Sequence, residues 1–224
     1  KNWGFMGPEY FKKFEASEIA WHTRLLLTHS ETKKTIVRVR HQKGGQGIEV
    51  LIFTRDKSHI FLRTCQFFHE ISCEISQAKI YTTSHHFALN VFHVTYEDES
   101  SLRFKDFFKY IESRLTEMID SGVSLENIKQ NQLKKSRQAS FHQIEDHIEI
   151  HQNEEGFCHL QVKTSNRVAL LLSIANVFKN HQINISNAKI TTMGERVEDH
   201  FDFKKPHETF SLEKLHSELK KLIA

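Results

Sequence analysis

The sequence contains little of what marks a fibrous, secreted or membrane-spanning protein. Its 224 residues include 2 prolines and 8 glycines, which excludes a collagen-like or linker-rich chain. The 3 cysteines, Cys65, Cys73 and Cys158, form no Cys-x-x-Cys pair and favour buried thiols in a reducing compartment over disulfides or zinc. No apolar run approaches the roughly 18 residues of a membrane-spanning helix, and no signal peptide opens the chain. We therefore predict a cytoplasmic protein without a membrane partner.

Motifs of the common catalytic sites are missing as well. The sequence has no Gly-x-Ser-x-Gly, no Gly-x-x-x-x-Gly-Lys-Ser/Thr and no His-Glu-x-x-His, so we predict no catalytic residue in it. His200 and Asp202 share one strand face and offer a metal two ligands at most, and half-exposed polar residues explain the pair well. We predict no metal site and no cofactor in this chain.

Charge of one sign is not in excess either. The 31 Lys and Arg residues against 28 Asp and Glu residues give a net charge of +3, which is too balanced to indicate a nucleic-acid partner. Apolar residues are plentiful, since hydrophobic types make up 38% of the chain and include 18 phenylalanines. That content supports a buried core and argues against global disorder.

An internal repeat organises the chain. A shift of 110 positions places Ile75–Thr82 (ISQAKIYT) over Ile185–Thr192 (ISNAKITT), and Phe68 over Phe178. Two copies are too few for a solenoid and indicate tandem domains. The predicted units are a helical tail at 1–34, a first domain at 35–119, a linker at 120–145 and a second domain at 146–224.

Both copies show the same hydrophobic periods. Alternating apolar residues indicate strands, and apolar residues at helical spacing indicate helices, in the order strand, strand, helix, strand, strand, helix. The predicted elements are 35–42, 48–54, 60–71, 74–83, 86–96 and 102–119 in copy one, and 146–152, 158–164, 168–181, 184–192, 196–204 and 210–223 in copy two. This order predicts an α+β fold of two tandem ferredoxin-like sandwiches, each an antiparallel sheet with two helices, after a short helical segment.

The strand-to-helix turn of copy two carries the clearest binding pattern. The turn at 166–169 leads into a helix whose first amide groups lack partners within the helix and favour an anion. Asparagine 184 lies where that helix returns to the next strand, and its amide can donate to a carboxylate and accept from an amine. The candidate ligand-binding residues are Asn166, Arg167, Val168, Ala169, Asn184 and Ile185. The alternative is that Asn166 only caps the helix.

Copy one offers a poorer anion site. Its equivalent residues are Asp56, His59 and Glu74, and two carboxylates would repel the carboxylate of an amino acid. In copy two, Asp199 replaces Leu89 on the face expected to meet the helices. A carboxylate there needs a helix amide, a cation or a ligand amine, unless it lies at the sheet margin in contact with water. We take Asp56, His59, Glu74 and Asp199 as candidates for a second site or an interface.

Several segments resemble a known family. The turn at 166–167 and the strand at 185–192 resemble the ACT domain, a small regulatory ferredoxin-like unit that often binds amino acids. The strings EIAWHT at 18–23 and TMGERVEDHF at 192–201 resemble the C-terminal region of the bacterial protein-PII uridylyltransferases, which both transfer and remove uridylyl groups. The resemblance spans essentially the whole chain.

The resemblance implies a regulatory role. Members of that family carry a nucleotidyltransferase domain, which uses Mg²⁺, then an HD hydrolase domain and two ACT domains, and the motifs of the first two are absent here. L-Glutamine is the implied allosteric ligand, and the implied partners are the PII protein and the catalytic domains of the same chain. The segment 1–34 would be the tail of the HD domain. The ligating asparagines of ACT domains match Asn166 and Asn184.

The sequence departs from the family pattern in two places. The glycine usual at the strand-to-helix turn is Ala169 in copy two and His59 in copy one, and alanine fits there only if its φ is negative. The usual last strand is missing after the final helix. We predict that the leading strands, 35–42 and 146–152, take its place in the sheet, which is a circular permutation of the same architecture.

Packing and function leave alternatives open. Strand 48–54 is apolar on both faces, whereas the matching strand has Gln161 and Lys163 at its outer positions. The sheet of copy one should therefore be covered on both sides, by the N-terminal helices, the other copy, a second chain or the catalytic domains. Besides a glutamine sensor, the chain is consistent with a protein-docking or dimerisation module without a small ligand. It is also consistent with the ACT region of another amino-acid-linked enzyme, such as a (p)ppGpp synthetase.

Overall fold

Two copies of one unit of four strands and two helices follow a pair of N-terminal helices. The computed structural model describes residues 6–28, 34–42, 47–55, 59–96, 104–121, 145–167 and 169–224. The N-terminal helices are α1 (Pro8–Lys13) and α2 (Ala16–Thr28). The first half contains β1 (Ile36–His41), β2 (Ile48–Arg55), α3 (Ile60–Glu70), β3 (Cys73–Thr82), β4 (Phe87–Tyr96) and α4 (Phe104–Asp120). The second half contains β5 (His147–Gln152), β6 (Phe157–Ser165), α5 (Leu170–Asn180), β7 (Ile185–Met193), β8 (Arg196–Lys204) and α6 (Leu212–Ile223).

The hydrophobic pattern predicted the strands and helices of both halves correctly. In α6, for example, Leu215, Leu219 and Ile223 recur every four residues and are all buried. The Ser211 side chain caps this helix by accepting a hydrogen bond from the Lys214 backbone N–H at 3.2 Å. Most of the predicted linker, residues 122–144, lies outside the described residues, so the domain boundaries stay a prediction.

The eight strands that the structure describes form one antiparallel sheet with the order β1-β2-β4-β3-β7-β8-β6-β5. Each half has the same internal order, and the leading strands β1 and β5 form its outer edges, as the circular permutation predicted. The prediction had given each copy a sheet of its own, and the structure corrects it. Strands β3 and β7 pair from Gln77↔Thr191 to Tyr81↔Asn187. Each strand would otherwise be an edge of its own sheet, and the pairing gives hydrogen-bond partners to its backbone N–H and C=O groups. The α+β class is confirmed, and the architecture is compatible with ferredoxin-like folds.

One continuous core lies between the sheet and helices α3 to α6. Helix α3 of the first half packs against α5 of the second. The Phe61 ring of α3 lies 6.4 Å from that of Phe92 in its own half and 6.1 Å from that of Phe201 in the other. The two halves therefore share their buried apolar surface. Among the described helices, none is long and apolar enough to cross a membrane.

The opposite sheet face differs between the halves. In the first half, Leu51, Leu89 and Val91 are buried against the N-terminal helices, together with Tyr10 and Phe14. This confirms that strand β2 is covered on both sides and identifies the N-terminal helices as the cover. In the second half the same face is polar: its central strands present half-buried or exposed side chains such as Gln161, Lys163 and Glu198.

Candidate functional site

Two cavities lie at the junction of the halves and are related by the internal repeat. The larger has a volume of about 650 Å³ and lies between the N-terminal turn of α5 and the start of β3. The smaller, of about 40 Å³, lies between the N-terminal turn of α3 and the start of β7. Matching positions line both, such as Ala169 and His59, or Ile190 and Ile80. Each cavity thus takes one wall from each half.

Size separates the two cavities. The larger volume falls within the roughly 300–1,000 Å³ of sites that bind small molecules. The smaller volume has room for a few water molecules but not for an amino acid. Of these two cavities, only the larger is therefore a candidate ligand site.

The predicted ligand residues do not form one site. Asn166, Arg167 and Ala169 line the larger cavity, whereas Asn184 and Ile185 line the smaller one. The antiparallel pairing of β3 with β7 explains this, because it brings the turn of each half against the strand of the other half. Val168 lies outside the described residues.

The second predicted set is divided too. Glu74 and Asp199 line the larger cavity beside Asn166, and His59 lines the smaller one. Asp56 lies outside the described residues. Of the two predicted alternatives, a second site or an interface, the structure favours the interface for Glu74 and Asp199, because both line the cavity of Asn166 and Arg167 at the junction of the halves.

Asn166 bridges the two halves. Its Nδ2 donates a hydrogen bond of 3.0 Å to Glu74 Oε1, and its backbone N–H donates to the Glu195 carbonyl at 2.7 Å. It does not cap α5: the residue at the N-cap is Ala169, and no side chain accepts a hydrogen bond there. The capping alternative is therefore wrong.

The turn before each helix has a left-handed residue. Ala169 has φ 61° and His59 has φ 68°, so alanine occupies this position with a positive φ, contrary to the stated condition of a negative one. A residue with a Cβ is strained in this conformation, which glycine adopts freely. The strained turn leaves the first amide groups of α5 without a side-chain cap at the wall of the larger cavity.

Arg167 supplies a buried cation to the larger cavity. Its residue is 5% exposed, and Nη2 forms an ion pair with Asp146 Oδ2 at 3.2 Å. The Asp146 carboxylate also accepts a hydrogen bond from the Thr164 hydroxyl. The Nε–H of Arg167 has no hydrogen-bond partner in the described part of the chain. The guanidinium is thus held in place and keeps one donor for a further acceptor.

Asp199 supplies a buried carboxyl group to the same cavity. It is 1% exposed on the inner face of β8, which excludes the predicted alternative of a water-accessible sheet margin. The Thr191 backbone N–H donates to Oδ1 over a long 3.3 Å. Burial raises the pKa of this carboxyl group from 3.8 to about 8, and the Thr191 hydrogen bond offsets only part of the rise.

The counterpart of Asp199 in the first half is Asn90, not Leu89 as predicted. Ile52 pairs with Asn90 in one half, and the equivalent Val162 pairs with Asp199 in the other. The β7–β8 hairpin is one residue shorter than the β3–β4 hairpin, so the 110-residue shift no longer holds beyond it. Leu89 instead faces the N-terminal helices.

A carboxylate–histidine cluster with metal-like spacing lies on the other sheet face. Glu18, Glu49 and His93 place one ligand atom each within 4.8 Å of the others, and no second such group occurs among the described residues. Lys79 Nζ contacts both Glu18 oxygens at 2.8 Å, however, and Arg40 Nε contacts Glu49 Oε2 at 2.6 Å. Two cations already neutralise the two carboxylates, so a metal ion is not favoured here.

The predicted histidine–aspartate pair does not converge on a metal. Asp202 Oδ1 contacts His159 Nδ1 at 2.6 Å, and its Oδ2 accepts a hydrogen bond from Asn187. His200 Nδ1 lies 3.4 Å from the other ring nitrogen of His159. These side chains form a polar network on the open sheet face.

Sequence reasoning missed the wall that the first half gives the larger cavity. His69, Cys73 and Tyr96 line it from α3, β3 and β4. No local motif marks these residues, because they meet the turn of copy two only through the β3–β7 pairing. The repeat was the one available signal for this wall. It makes the turn before α3 equivalent to the turn before α5, and the start of β3 equivalent to the start of β7.

Comparisons with known proteins connect this architecture with one group of enzymes. No family model matches the chain. Over 199 residues, or 89% of the chain, it is 32% identical to the bifunctional uridylyltransferase/uridylyl-removing enzyme of Thiobacillus denitrificans. It is equally similar, over 200 residues, to the enzymes of that name from Burkholderia orbicola and Chromobacterium violaceum. The chain spans 23% of the length of each of these relatives. It is therefore similar to one segment of these bifunctional enzymes.

Proposed function

We propose that this chain is the amino-acid-sensing regulatory segment of a bifunctional uridylyltransferase/uridylyl-removing enzyme, with L-glutamine as its ligand. Its similarity to a segment of enzymes with that name supports the assignment to this system. In this proposal, both reactions are performed by other parts of the enzyme. Mg²⁺ belongs, in this proposal, to the nucleotidyltransferase part of the enzyme and not to this segment.

One observation carries the proposal: the larger cavity presents a guanidinium and an acidic group to the same space. Arg167 offers a buried guanidinium whose Nε–H has no hydrogen-bond partner among the described residues, and Asp199 offers a buried carboxyl group. An amino acid carries a carboxylate and an ammonium group on one carbon, so it complements both. The Asn166 and Glu74 side chains, which are more exposed, are suited to the polar end of glutamine.

The position of the cavity suits a regulatory role. A ligand there contacts both halves at once and stabilises one arrangement of the Asn166–Glu74 bridge. Regulation then needs only a different ligand affinity in two arrangements of the segment against its partners. We propose the catalytic domains of the same chain and the PII protein as those partners.

Calorimetric titration of the whole 224-residue chain with L-glutamine tests the proposal. We expect saturable binding of one ligand per chain, with much weaker binding of D-glutamine and L-glutamate. Asn166→Ala should weaken binding about fivefold to tenfold through the loss of one hydrogen bond. Asn184→Ala, the matched change at the small cavity, should leave it unchanged. A folded chain that binds no glutamine, or that loses affinity equally in both variants, would contradict the proposal.

A second candidate function is protein docking without a small ligand. The polar outer face of β5 to β8 favours it, because the equivalent face of the first half is covered by α1 and α2. A chain that binds the PII protein with an affinity independent of glutamine would favour this alternative.

A further inference from the structure

We propose that Asp199 receives the ammonium group of the bound amino acid and loses a proton to solvent when it does so, which makes ligand binding proton-linked. This inference rests on the proposed function, because it concerns the same cavity. It adds a statement about ligand specificity: the site binds only ligands that carry a free ammonium group. It also predicts a pH dependence of affinity that the proposed function alone does not require.

The surroundings of Asp199 disfavour a charge in the empty cavity. Its strand neighbours on the inner face, Val197 and Phe201, are apolar and buried. The Thr191 N–H is its one hydrogen-bond donor among the described residues, at 3.3 Å. The cation that lines the same cavity, Arg167, is already paired with Asp146. An ionised carboxylate would thus be buried without a counter-charge, which is unfavourable.

The internal repeat provides a built-in comparison. Asn90 occupies the equivalent position of the first half, is also buried, and lines the cavity that is too small for a ligand. An uncharged amide is therefore compatible with this place in the fold. The ionisable group occurs in the half whose cavity has room for an amino acid. This distribution indicates that the carboxyl group serves a ligand and not the packing.

The titratable groups that line the cavity with Asp199 are Cys65 and His69 from α3, Cys73 and Glu74 from β3, Tyr96 from β4, and Arg167 from the turn. Burial raises the thiol pKa of Cys73 to about 11 and that of Cys65 well above its usual value, so both stay protonated. The carboxylate of Glu74 accepts the Asn166 hydrogen bond at the exposed end of the cavity. Burial raises the pKa of Asp199 to about 8, which leaves it protonated at pH 7.

The proton balance is simple. The ligand enters as a zwitterion and keeps its ammonium proton, while Asp199 releases the proton of its carboxyl group to the buffer. No covalent bond to the ligand forms or breaks. Below a pH of about 8, affinity should rise by up to about tenfold for each unit of pH, and it should level off above that value.

Calorimetry of the whole chain with L-glutamine at pH 6.5, in phosphate and in Tris, measures the released protons. The two buffers differ in ionisation enthalpy, so the difference in observed heat counts protons. We expect about one proton per ligand at pH 6.5 and clearly fewer at pH 8.5. Glutaramic acid, which is glutamine without its amine, should bind more weakly and release no proton.

Two further measurements assign the proton to Asp199. The near-isosteric Asp199→Asn, which copies Asn90, should bind L-glutamine at least tenfold more weakly, without proton release and with a flat pH profile. Carbon-13 NMR of the unaltered chain, labelled at its aspartate carboxyl groups, should show one group that titrates near pH 8 and ionises on addition of glutamine. This second measurement does not depend on the folding of a variant.

The outcomes separate the two proposals. Glutamine binding without proton release at pH 6.5, or with the same release in Asp199→Asn, would overturn the role of Asp199 and leave the proposed function standing. A folded chain that binds no L-glutamine overturns both. Binding with release of about one proton that disappears in the variant supports both.

Discussion

Buried polar side chains occupy two equivalent places on the inner sheet face, where an apolar residue would pack without penalty. Asn90 and Asp199 are both under 3% exposed, and each lines one of the two cavities at the junction of the halves. A buried amide is neutral at every pH, whereas a buried carboxyl group responds to pH through its ionisation. The two residues should therefore affect stability differently.

Asp199→Asn should change how the stability of the ligand-free chain depends on pH. The folded-state pKa of Asp199 is about 8, above its ordinary 3.8, so the carboxyl group stabilises the fold most below pH 4. That contribution is lost as pH rises toward 8, at up to about 1.4 kcal/mol per pH unit. Urea unfolding at pH 5, 7 and 8.5 should show the free energy of unfolding falling more steeply in the unaltered chain than in the variant. Parallel pH profiles would contradict the raised pKa.

Gly47 is a position where the backbone requires glycine. Its φ is +124°, and an added Cβ would meet the Val94 carbonyl oxygen closer than real Cβ atoms approach. Gly47→Ala should therefore lower the free energy of unfolding by more than about 1 kcal/mol. Gly194→Ala is the control, because Gly194 also has positive φ but no atom within 4 Å of the added Cβ. A loss in Gly47→Ala no larger than in Gly194→Ala would show that the carbonyl contact does not matter.

At the scale of elements, one strand is built differently in the two halves. Strand β2 has apolar residues on both faces because α1 and α2 cover its outer face. The outer face of the equivalent strand β6 has no such cover among the described residues and is mostly polar. Leu51 is 1% exposed, and Gln161 is its equivalent in the repeat. The same substitution at these two positions therefore measures what the N-terminal helices contribute.

Leu51→Ala should lower the free energy of unfolding by about 2–5 kcal/mol, because it leaves a cavity between β2 and the N-terminal helices. Gln161→Ala should change it by about 1 kcal/mol or less, because the half-buried side chain loses one hydrogen bond, to Glu198, and leaves no apolar cavity. Urea unfolding followed by circular dichroism measures both. Equal effects would mean that α1 and α2 do not pack on β2 in solution.

On the scale of the whole molecule, the halves share one sheet and one core. The β3–β7 pairing and the contacts of α3 with α5 cross between the halves, as does the contact of Phe61 with Phe201. Such coupling favours a single cooperative unfolding transition over two independent ones. It also makes the larger cavity a property of both halves together.

Phe61→Ala tests this coupling. It should destabilise the chain by about 3–5 kcal/mol, because a large buried ring is lost from the shared core. Hydrogen exchange followed by mass spectrometry should show faster exchange in the core strands of both halves, β4 and β8 alike. Faster exchange confined to the first half would contradict the shared core.

The amino-acid sequence alone determined the local structure. Hydrophobic periods of two and about 3.6 residues placed strands β1 to β8 and helices α3 to α6, since each element must bury one face whatever its partner. The repeat predicted one order of strands and helices for both halves, which the structure has, and the two-sided apolar pattern of 48–54 predicted a cover on β2. These properties depend on residues close together in the chain, so a sequence pattern is enough to reveal them.

Only the tertiary structure decided how the halves meet and therefore where the cavity lies. The turn and strand pattern of copy two predicts one site that contains Asn166 and Asn184, but the β3–β7 pairing places them in different cavities and brings Asn166 to Glu74 instead. Two sheet edges pair through backbone hydrogen bonds, which almost every residue type can form. A sequence motif therefore does not reveal that β3 and β7 pair. The sequence did not reveal the environment of Asp199 either. The β7–β8 hairpin is one residue shorter than the β3–β4 hairpin, so the counterpart of Asp199 is Asn90 and not Leu89. The burial that keeps Asp199 protonated comes from residues of both halves.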